Sequence, residues 1–287
     1  MIRDVRKIFR FFSIYGIKRT LFKVLGRLRK RNLIKLFKCK ENCRIAVIGC
    51  GQFSFSTIGG ILTKNFRSPF IDCYDICRNQ LFTFAHFFNI KSPSLNFNSL
   101  KNNSNVKLVY ITSNHASHSN YAVDLLNANI DVYIEKPVSV SFQQLSLLHS
   151  TVINKKCNVY CGYNRPFSKA IKKLRNHCCG LNGPITLNCF VIGHLIEKDH
   201  WYRNPNEGTR VCGNIGHWLD LAVHFLCWSN FPENFKISIS YSDHLVNDDN
   251  LSISLTSHNG DLIVITLSSR SEPFEGINES INFQQNN

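Results

Sequence analysis

Short apolar runs alternate with helical patterns between residues 44 and 162. The runs are rich in β-branched and aromatic residues and end in glycine or a polar residue, as buried parallel strands do. They cover residues 44–48, 70–75, 106–112, 131–135 and 158–162. The stretches 80–88, 118–128 and 142–154 between them have apolar residues at helical spacing. Strands that alternate with helices of this length predict an α/β fold with a doubly wound parallel sheet.

The pattern changes after about residue 163. Residues 185–193 are predicted to form a long strand, and 209–228 contain a predicted helix. The three last predicted strands are 235–241, 251–257 and 262–268, and Asn259-Gly260 supplies a two-residue hairpin turn between the last two. This half is predicted to be α+β with a largely antiparallel open sheet. We therefore expect a domain over 44–162 and a second domain over 163–287.

Residues 1–43 form a different segment, a basic amphipathic arm. Apolar residues recur at helical spacing over 5–38, with Lys and Arg between them. Residues 1–40 hold 14 basic residues and one acid, out of 34 Lys+Arg and 19 Asp+Glu in the chain. The rest therefore holds 20 basic and 18 acidic residues, too balanced for a nucleic-acid-binding surface. The arm suits either peripheral contact with an anionic membrane or packing on its own globule or a second subunit.

The cysteines bear on compartment and metal binding. The chain has 12 cysteines but no C-x-x-C pair, and its basic N-terminus lacks the apolar core of a secretory signal. Scattered thiols of this kind indicate small core residues in a reducing environment. We expect a cytoplasmic protein with no metal site.

A glycine-rich turn follows the first predicted strand. Gly49-Cys-Gly51-Gln52-Phe53-Ser54 lies between that strand and a predicted helix, where backbone N–H groups can hold a pyrophosphate. Asp75 ends the second strand 24 residues after Gly51, where a carboxylate can bind ribose hydroxyls. The sequence therefore predicts NAD or NADP as cofactor. NAD is favoured because a carboxylate repels a 2′-phosphate.

Two further segments carry chemistry. Glu135-Lys136-Pro137 ends the fourth predicted strand, at the edge where parallel sheets bind ligands. A lysine there can donate to a substrate oxygen. In the segment from Gly213 to Asp220, His217 and Asp220 share one helix face, as a proton shuttle needs.

These segments together resemble the Gfo/Idh/MocA family, named for glucose-fructose oxidoreductase and inositol dehydrogenase. The resemblance rests on the glycine-rich turn, on Thr112-x-Asn114-x-x-x-His118, on Glu-Lys-Pro and on Gly-x-x-x-His-x-x-Asp, in that order. It covers about 44–283. It implies a Rossmann domain, a substrate and oligomerisation domain, and hydride transfer between NAD(P) and a sugar, polyol or nucleotide sugar.

The resemblance also implies roles for individual residues. Lys136, His217 and Asp220 match the catalytic positions of the family. The positions implied to face the cofactor, besides the glycine-rich turn and Asp75, are Thr112, Asn114, His118, Glu135, Lys136 and Arg165. The run Trp201-Tyr-Arg-Asn-Pro-Asn-Glu-Gly208 is similar to a branch found in cell-surface polysaccharide gene clusters. Relatives are often homo-oligomers.

The chain departs from the family pattern in two places. Many members have an aspartate four residues before the histidine, where this chain has Gly213. Relatives continue past the position of Asn287, so we expect the second domain to be incomplete. These departures leave a second hypothesis open, a catalytically decayed dinucleotide-binding scaffold.

Overall fold

The chain divides into two compact units in a computed structural model. The structure describes residues 2–28, 43–66, 69–270 and 277–285, with side chains from residue 8 onward. The first unit is Met1–Gly162 and the second is Tyr163–Asn287. Among the described residues, no helix has both the length and the apolar character that crossing a membrane requires.

The first unit contains a five-stranded sheet in which all strands are parallel, in the order β2-β1-β3-β4-β5. The strands are β1 Ile45–Ile48, β2 Asp72–Tyr74, β3 Leu108–Ile111, β4 Asp131–Ile134 and β5 Val159–Cys161. The helices are α1 Ile2–Arg27, α2 Gly60–Asn65, α3 Arg78–Phe88, α4 Phe97–Lys101, α5 His118–Asn127 and α6 Phe142–Asn154. The prediction of a doubly wound parallel sheet is confirmed.

Both faces of this sheet are buried, which explains why its strands are almost continuously apolar. Ile48 and Ile111 lie in a core on one face with residues of α5. Val47 lies in a core on the other face, where phenylalanines dominate. There the Phe55 ring centroid is 4.5 Å from that of Phe87. Burial of these rings anchors the helix that follows the glycine-rich turn.

α1 packs against the first unit with its second half. It is interrupted at Gly16, whose backbone is not helical (φ 78°, ψ 169°). Beyond that point Phe22 and Leu25 join the phenylalanine-rich core, and the Gln52 side chain donates to the Lys23 carbonyl at 2.9 Å. Of the two alternatives for the basic arm, membrane contact or packing on its own globule, the second half of α1 therefore shows the packing. The sequence predicts the helix over residues 5–38, and the part of that prediction from 29 to 38 lies outside the described residues.

The second unit contains a five-stranded mixed sheet in the order β10-β6-β9-β8-β7. Only β6 and β9 pair in parallel. The strands are β6 Ile185–Ile192, β7 Phe235–Tyr241, β8 Leu251–Ser257, β9 Leu262–Ser268 and β10 Asn278–Gln285. The two helices of eight or more residues in the described part of this unit are α7 Lys169–His177 and α8 Gly216–Leu226. α8 covers one face of the sheet, with Trp218 and Phe225 in the core.

Sequence reasoning missed β10. This strand pairs antiparallel with β6 along its whole length, from Asn278 opposite Ile192 to Gln285 opposite Ile185. Its sequence is mostly polar, with only Ile281 and Phe283 packed against the core. A polar edge strand lacks the apolar run by which strands are predicted, and β6 supplies its pairing partner from almost a hundred residues earlier.

A buried ion cluster stabilises the loops of the second unit. The Arg210 guanidinium is almost fully buried, and its Nη1 lies 2.7 Å from Asp249 Oδ1. Its Nη2 donates to the His194 carbonyl. Arg203 Nη2 reaches the other oxygen of Asp249 at 2.9 Å. These bonds join the segment after β6 to the loop before β8.

We expect Arg210→Leu to destabilise the second unit by about 3 kcal/mol, because it leaves part of the buried charge on Asp249 uncompensated. All three tryptophans, Trp201, Trp218 and Trp228, lie in this unit, so urea unfolding followed by tryptophan fluorescence reports on it. The matched control is Arg270→Leu at an exposed arginine of the same unit. Equal midpoints for the two variants would contradict the assignment.

Candidate functional site

The glycine-rich turn is held against the end of β3. Gly49 has φ 85°, and a Cβ at that position would lie 2.6 Å from the Ser113 backbone nitrogen, so only glycine fits. The Thr112 hydroxyl donates to the carbonyls of Gly49 at 2.8 Å and Ile48 at 3.0 Å. The carboxyl ends of β1 and β3 are thereby joined, at the edge of a parallel sheet where ligands bind.

The turn leaves one backbone surface open. A Cβ on Gly51 would meet only Gln80 Oε1, at 3.8 Å. The Ser54 hydroxyl donates to the Gly49 and Gly51 carbonyls at 2.6 and 3.0 Å, which stabilises the turn from inside. A π-helical segment, Ser54–Gly59, follows and continues into α2. The open backbone at the start of a helix fits a pyrophosphate, the group that such turns bind.

Asp75 is positioned by the same turn. Its Oδ2 accepts a hydrogen bond from the Cys50 backbone nitrogen at 2.7 Å, and its Oδ1 accepts one from the Cys77 nitrogen at 2.7 Å. The carboxylate therefore lies beside the glycine-rich turn at the end of β2, where a ribose-binding acid is expected. The Gln52 side chain instead points to α1, and Phe53 is exposed. Gln52 and Phe53 can thus offer a bound pyrophosphate their backbone N–H groups but not their side chains.

Glu135 and Lys136 follow β4, and the Lys136–Pro137 peptide bond is cis. Burial raises the pKa of Glu135 to about 7, against the opposing effects of the neighbouring Lys136 charge and a hydrogen bond from Tyr133. The Tyr133 hydroxyl donates to Glu135 Oε2 at 3.2 Å. Gly162 lies so close to the same oxygen that a Cβ there would overlap it. The Glu135 carboxyl is therefore confined next to the lysine.

His118 joins the two loops that carry the other predicted residues. It is almost fully buried. Its Nδ1 lies 2.7 Å from the Pro137 carbonyl oxygen, and its Nε2 lies 3.2 Å from the Ser113 carbonyl oxygen. Asn114 is in the second of these loops, and its Oδ1 accepts from the Ser117 hydroxyl at 2.7 Å. The His118 ring thus faces backbone on both sides, which makes it a positioning residue for these loops.

His217 and Asp220 lie in α8 of the second unit. α8 begins after a π-helical segment, Val211–Ile215, and His217 is buried with its ring 5.8 Å from that of Tyr163, nearly perpendicular to it. Asp220 is half-buried, and burial raises the pKa of its carboxyl. The helix therefore carries a histidine and an acid one turn apart, both partly removed from water.

Arg165 has partners within the second unit. Its Nε lies 3.2 Å from Glu279 Oε2 in β10, and its guanidinium carbon lies 4.6 Å from the centre of the Trp218 ring. Sequence reasoning missed this pairing because it missed β10. It also missed Tyr163, whose only signal was its place between the last strand of the parallel sheet and Arg165.

The first unit fits a dinucleotide by three independent features. These are the open backbone at Gly51, the carboxylate of Asp75 beside the turn, and the polar groups at the ends of β3 and β4 on the same sheet edge. In agreement with this geometry, residues 43–163 match the model of the Gfo/Idh/MocA family, an oxidoreductase family with an NAD-binding Rossmann fold. The domain belongs to the Gfo/Idh/MocA family. Its cofactor is NAD or NADP.

A curated relative of this chain is Oxidoreductase P35 from Formosa agariphila. The two are 26% identical over 175 residues, which are 60% of this chain and 51% of the relative. The match thus spans about half of the relative's length.

Solved structures with the same fold include two dehydrogenases. A myo-inositol dehydrogenase from Lactobacillus casei, in complex with NAD(H) and myo-inositol, superposes with a TM-score of 0.65 at 14% identity, over 83% of this chain and 73% of that one. The WlbA dehydrogenase from Chromobacterium violaceum, in complex with NADH and UDP-GlcNAcA, gives a TM-score of 0.67 at 16% identity, over 86% and 74%. At these identities the likeness shows a shared fold.

Replacing Gly49 tests the contact between the turn and β3. Gly49→Ala adds both a strained φ and an overlap with Ser113, whereas Gly180→Ala adds strain alone, because Gly180 has φ 91° and nothing within 4 Å of its Cβ position. We expect Gly180→Ala to cost about 1 kcal/mol of stability and to leave NADH affinity unchanged. Gly49→Ala should weaken NADH binding at least about tenfold in a fluorescence titration. Equal affinities in the two variants would contradict the proposed close approach.

Glu135 should make stability depend on pH. The folded carboxyl keeps its proton up to about pH 7, whereas the unfolded one loses it near its ordinary pKa of 4.5. The stability that this group contributes is therefore present below the unfolded pKa and is lost as the pH rises through the folded one. Glu135→Gln should gain stability relative to the parent between pH 5 and pH 8, by up to about 3 kcal/mol. Urea unfolding followed by circular dichroism at both pH values measures the gain, and a difference that does not vary with pH would refute it.

Proposed function

We propose that this protein is an NAD(P)-dependent oxidoreductase that transfers a hydride between the nicotinamide and a carbinol or keto carbon of a sugar, polyol or nucleotide sugar. The observation that carries the proposal is the lysine next to a confined carboxyl, Lys136 beside Glu135, at the ligand-binding edge of a dinucleotide-binding sheet. The myo-inositol and UDP-GlcNAcA ligands of the two dehydrogenases indicate the substrate class.

Cofactor binding is assigned to the glycine-rich turn and its neighbours. Backbone groups of residues 49–53 hold the pyrophosphate, and Asp75 binds the ribose hydroxyls of the adenosine. Because the Asp75 carboxylate would repel a 2′-phosphate, NAD is favoured over NADP. The loops after β3 and β4 contribute Thr112, Asn114 and Glu135, with His118 setting their spacing. Arg165, which is paired with Glu279, is the cofactor-facing residue that the second unit contributes in this proposal.

The chemical step needs one group that stabilises negative charge on the substrate oxygen and another that exchanges the hydroxyl proton. The nicotinamide, when bound, supplies or accepts the hydride. The Lys136 ammonium group stabilises the negative charge that develops on the substrate oxygen. His217 exchanges the hydroxyl proton, because an imidazole can both accept and donate a proton. Asp220, one helical turn away, favours the protonated imidazole.

A second candidate function is a catalytically decayed scaffold that binds the dinucleotide without turnover. It is favoured by Gly213, which is buried in the π-helical segment before α8 and supplies no carboxylate where many relatives carry aspartate. Under this hypothesis the first unit keeps its cofactor while the acid–base pair of the second unit is incomplete.

The sequence supports a proposal for the cellular setting. The run from Trp201 to Gly208 forms two short 3₁₀ segments, 201–203 and 205–207, in the second unit. Its similarity to the polysaccharide branch supports a role in making cell-surface polysaccharide precursors in the cytoplasm. We further propose that the protein is a homo-oligomer.

Replacing Lys136 separates binding from turnover. Lys136→Ala should bind NADH with the parent's affinity and lose turnover about 100-fold or more on any active sugar or polyol, because it removes charge stabilisation from the transition state. Lys91→Ala, at an exposed lysine of the same unit, is the control and should keep full turnover. The measurements are a fluorescence titration and an NADH absorbance assay on a panel of sugars and nucleotide sugars.

The same panel distinguishes the two functions. Parent protein that binds NADH but turns over no substrate supports the scaffold. Turnover that survives in Lys136→Ala removes the lysine from the mechanism, and failure to bind either NADH or NADPH contradicts both functions.

A further inference from the structure

The first half of α1 exposes large apolar side chains to solvent. The exposed side chains before the interruption at Gly16 are Ile8, Phe9, Phe12, Ile14 and Tyr15, and Ile17 directly after it is exposed too. Phe9 is 69% exposed and Ile17 is 68% exposed. Beyond Ile17, Phe22 and Leu25 pack against the first unit, whereas Leu21 and Leu28 stay exposed. One helix thus has an anchored half and an apolar half that faces water.

Beyond residue 7, the charge of α1 has a single sign. Residues 8–28 contain Arg10, Lys18, Arg19, Lys23 and Arg27 and no acid. Two of these cations lie over aromatic rings: Arg19 is 4.5 Å from the centre of Tyr15, and Lys23 Nζ is 3.6 Å from the centre of Phe11. Aromatic, aliphatic and basic side chains are therefore interleaved, as in helices that lie at a membrane interface.

We propose that the first half of α1 binds the surface of an anionic lipid bilayer. The apolar side chains of this half enter the boundary between headgroups and acyl chains, and basic side chains from both halves of α1 contact lipid phosphates. The exposed side chains of this half are not among the proposed catalytic or cofactor-binding residues, and the inference does not depend on the oxidoreductase activity.

The charge balance of the chain favours a bilayer over two other partners. A second copy of this chain offers a nearly neutral body, because residues 41–287 hold 20 basic and 18 acidic residues. It lacks the negative excess that would match the arm. A nucleic acid would neutralise the cations but would leave Phe9, Phe12 and Ile17 in water. An anionic bilayer accommodates both the charges and the apolar side chains.

Gly16 allows the two halves of α1 to take different directions. Its φ of 78° and ψ of 169° break the helix, and no described atom beyond the adjoining part of the helix lies within 4 Å of its Cβ position. On the far side the helix is fixed, because Gln52 donates to the Lys23 carbonyl and Phe22 lies against Gly60. The exposed half can therefore lie along a surface while the anchored half stays beside the glycine-rich turn.

The test is co-sedimentation of the full chain with vesicles of phosphatidylcholine alone or with added phosphatidylglycerol. We expect binding to the anionic vesicles only, weakened by salt. Phe9→Ser combined with Ile17→Ser should lower the partition constant about tenfold or more, because two apolar side chains no longer enter the interface. Lys18→Gln with Arg27→Gln should weaken binding to the anionic vesicles while leaving the apolar side chains intact.

The matched control is Phe142→Ser with Leu245→Ser, at side chains that are 79% and 94% exposed outside the arm. It should bind vesicles as the parent does. Thermal melts show whether every variant is folded. Parent protein that stays in the supernatant, or a control that loses binding as strongly as the arm variant, overturns the proposal. So does a dimer seen by light scattering that Phe9→Ser with Ile17→Ser converts to monomer while vesicle binding is unchanged.

Discussion

The close approach of two backbones at the end of the parallel sheet is the constraint on which the first unit depends. Gly49 and the Thr112–Ser113 backbone come together so closely that no side chain fits between them, and the Thr112 hydroxyl closes the gap by bonding to two carbonyls. In the same turn, a Cβ on Gly51 would meet only Gln80 Oε1, at 3.8 Å, so there is space beside the backbone at that residue. Asp75 then accepts from the Cys50 nitrogen, which fixes the end of β2 against the same turn.

Buried polar groups set the geometry of the neighbouring loops. The Glu135 carboxyl is confined between Tyr133 and Gly162, and the His118 ring faces one carbonyl from each loop. Polar groups in such surroundings are costly to move, because each would lose a hydrogen bond that water does not replace. Lys136, next to Glu135 in sequence, therefore has a rigid backbone support, as its proposed charge-stabilising role requires.

In the second unit, ion pairs hold the loops in position. The sheet of this unit is covered by α8 on one face. The irregular segments around the sheet are held together because Arg210 and Arg203 both pair with the carboxylate of Asp249. Arg165 is tied to β10 through Glu279, so the C-terminal strand contributes to the position of a residue near the start of the unit. Long-range pairing therefore determines local geometry in this half.

The sequence by itself determined the parallel sheet, the glycine-rich turn and the nature of the cofactor, because buried strands are continuous apolar runs and the turn needs glycine at fixed positions. The catalytic roles of Lys136, His217 and Asp220 stay predictions. Only the tertiary structure decided that Gln52 points to α1, that His118 bridges two loops and that a polar strand closes one edge of the second sheet. These features depend on partners far away in the chain, and such pairings leave no periodic pattern in the residues themselves.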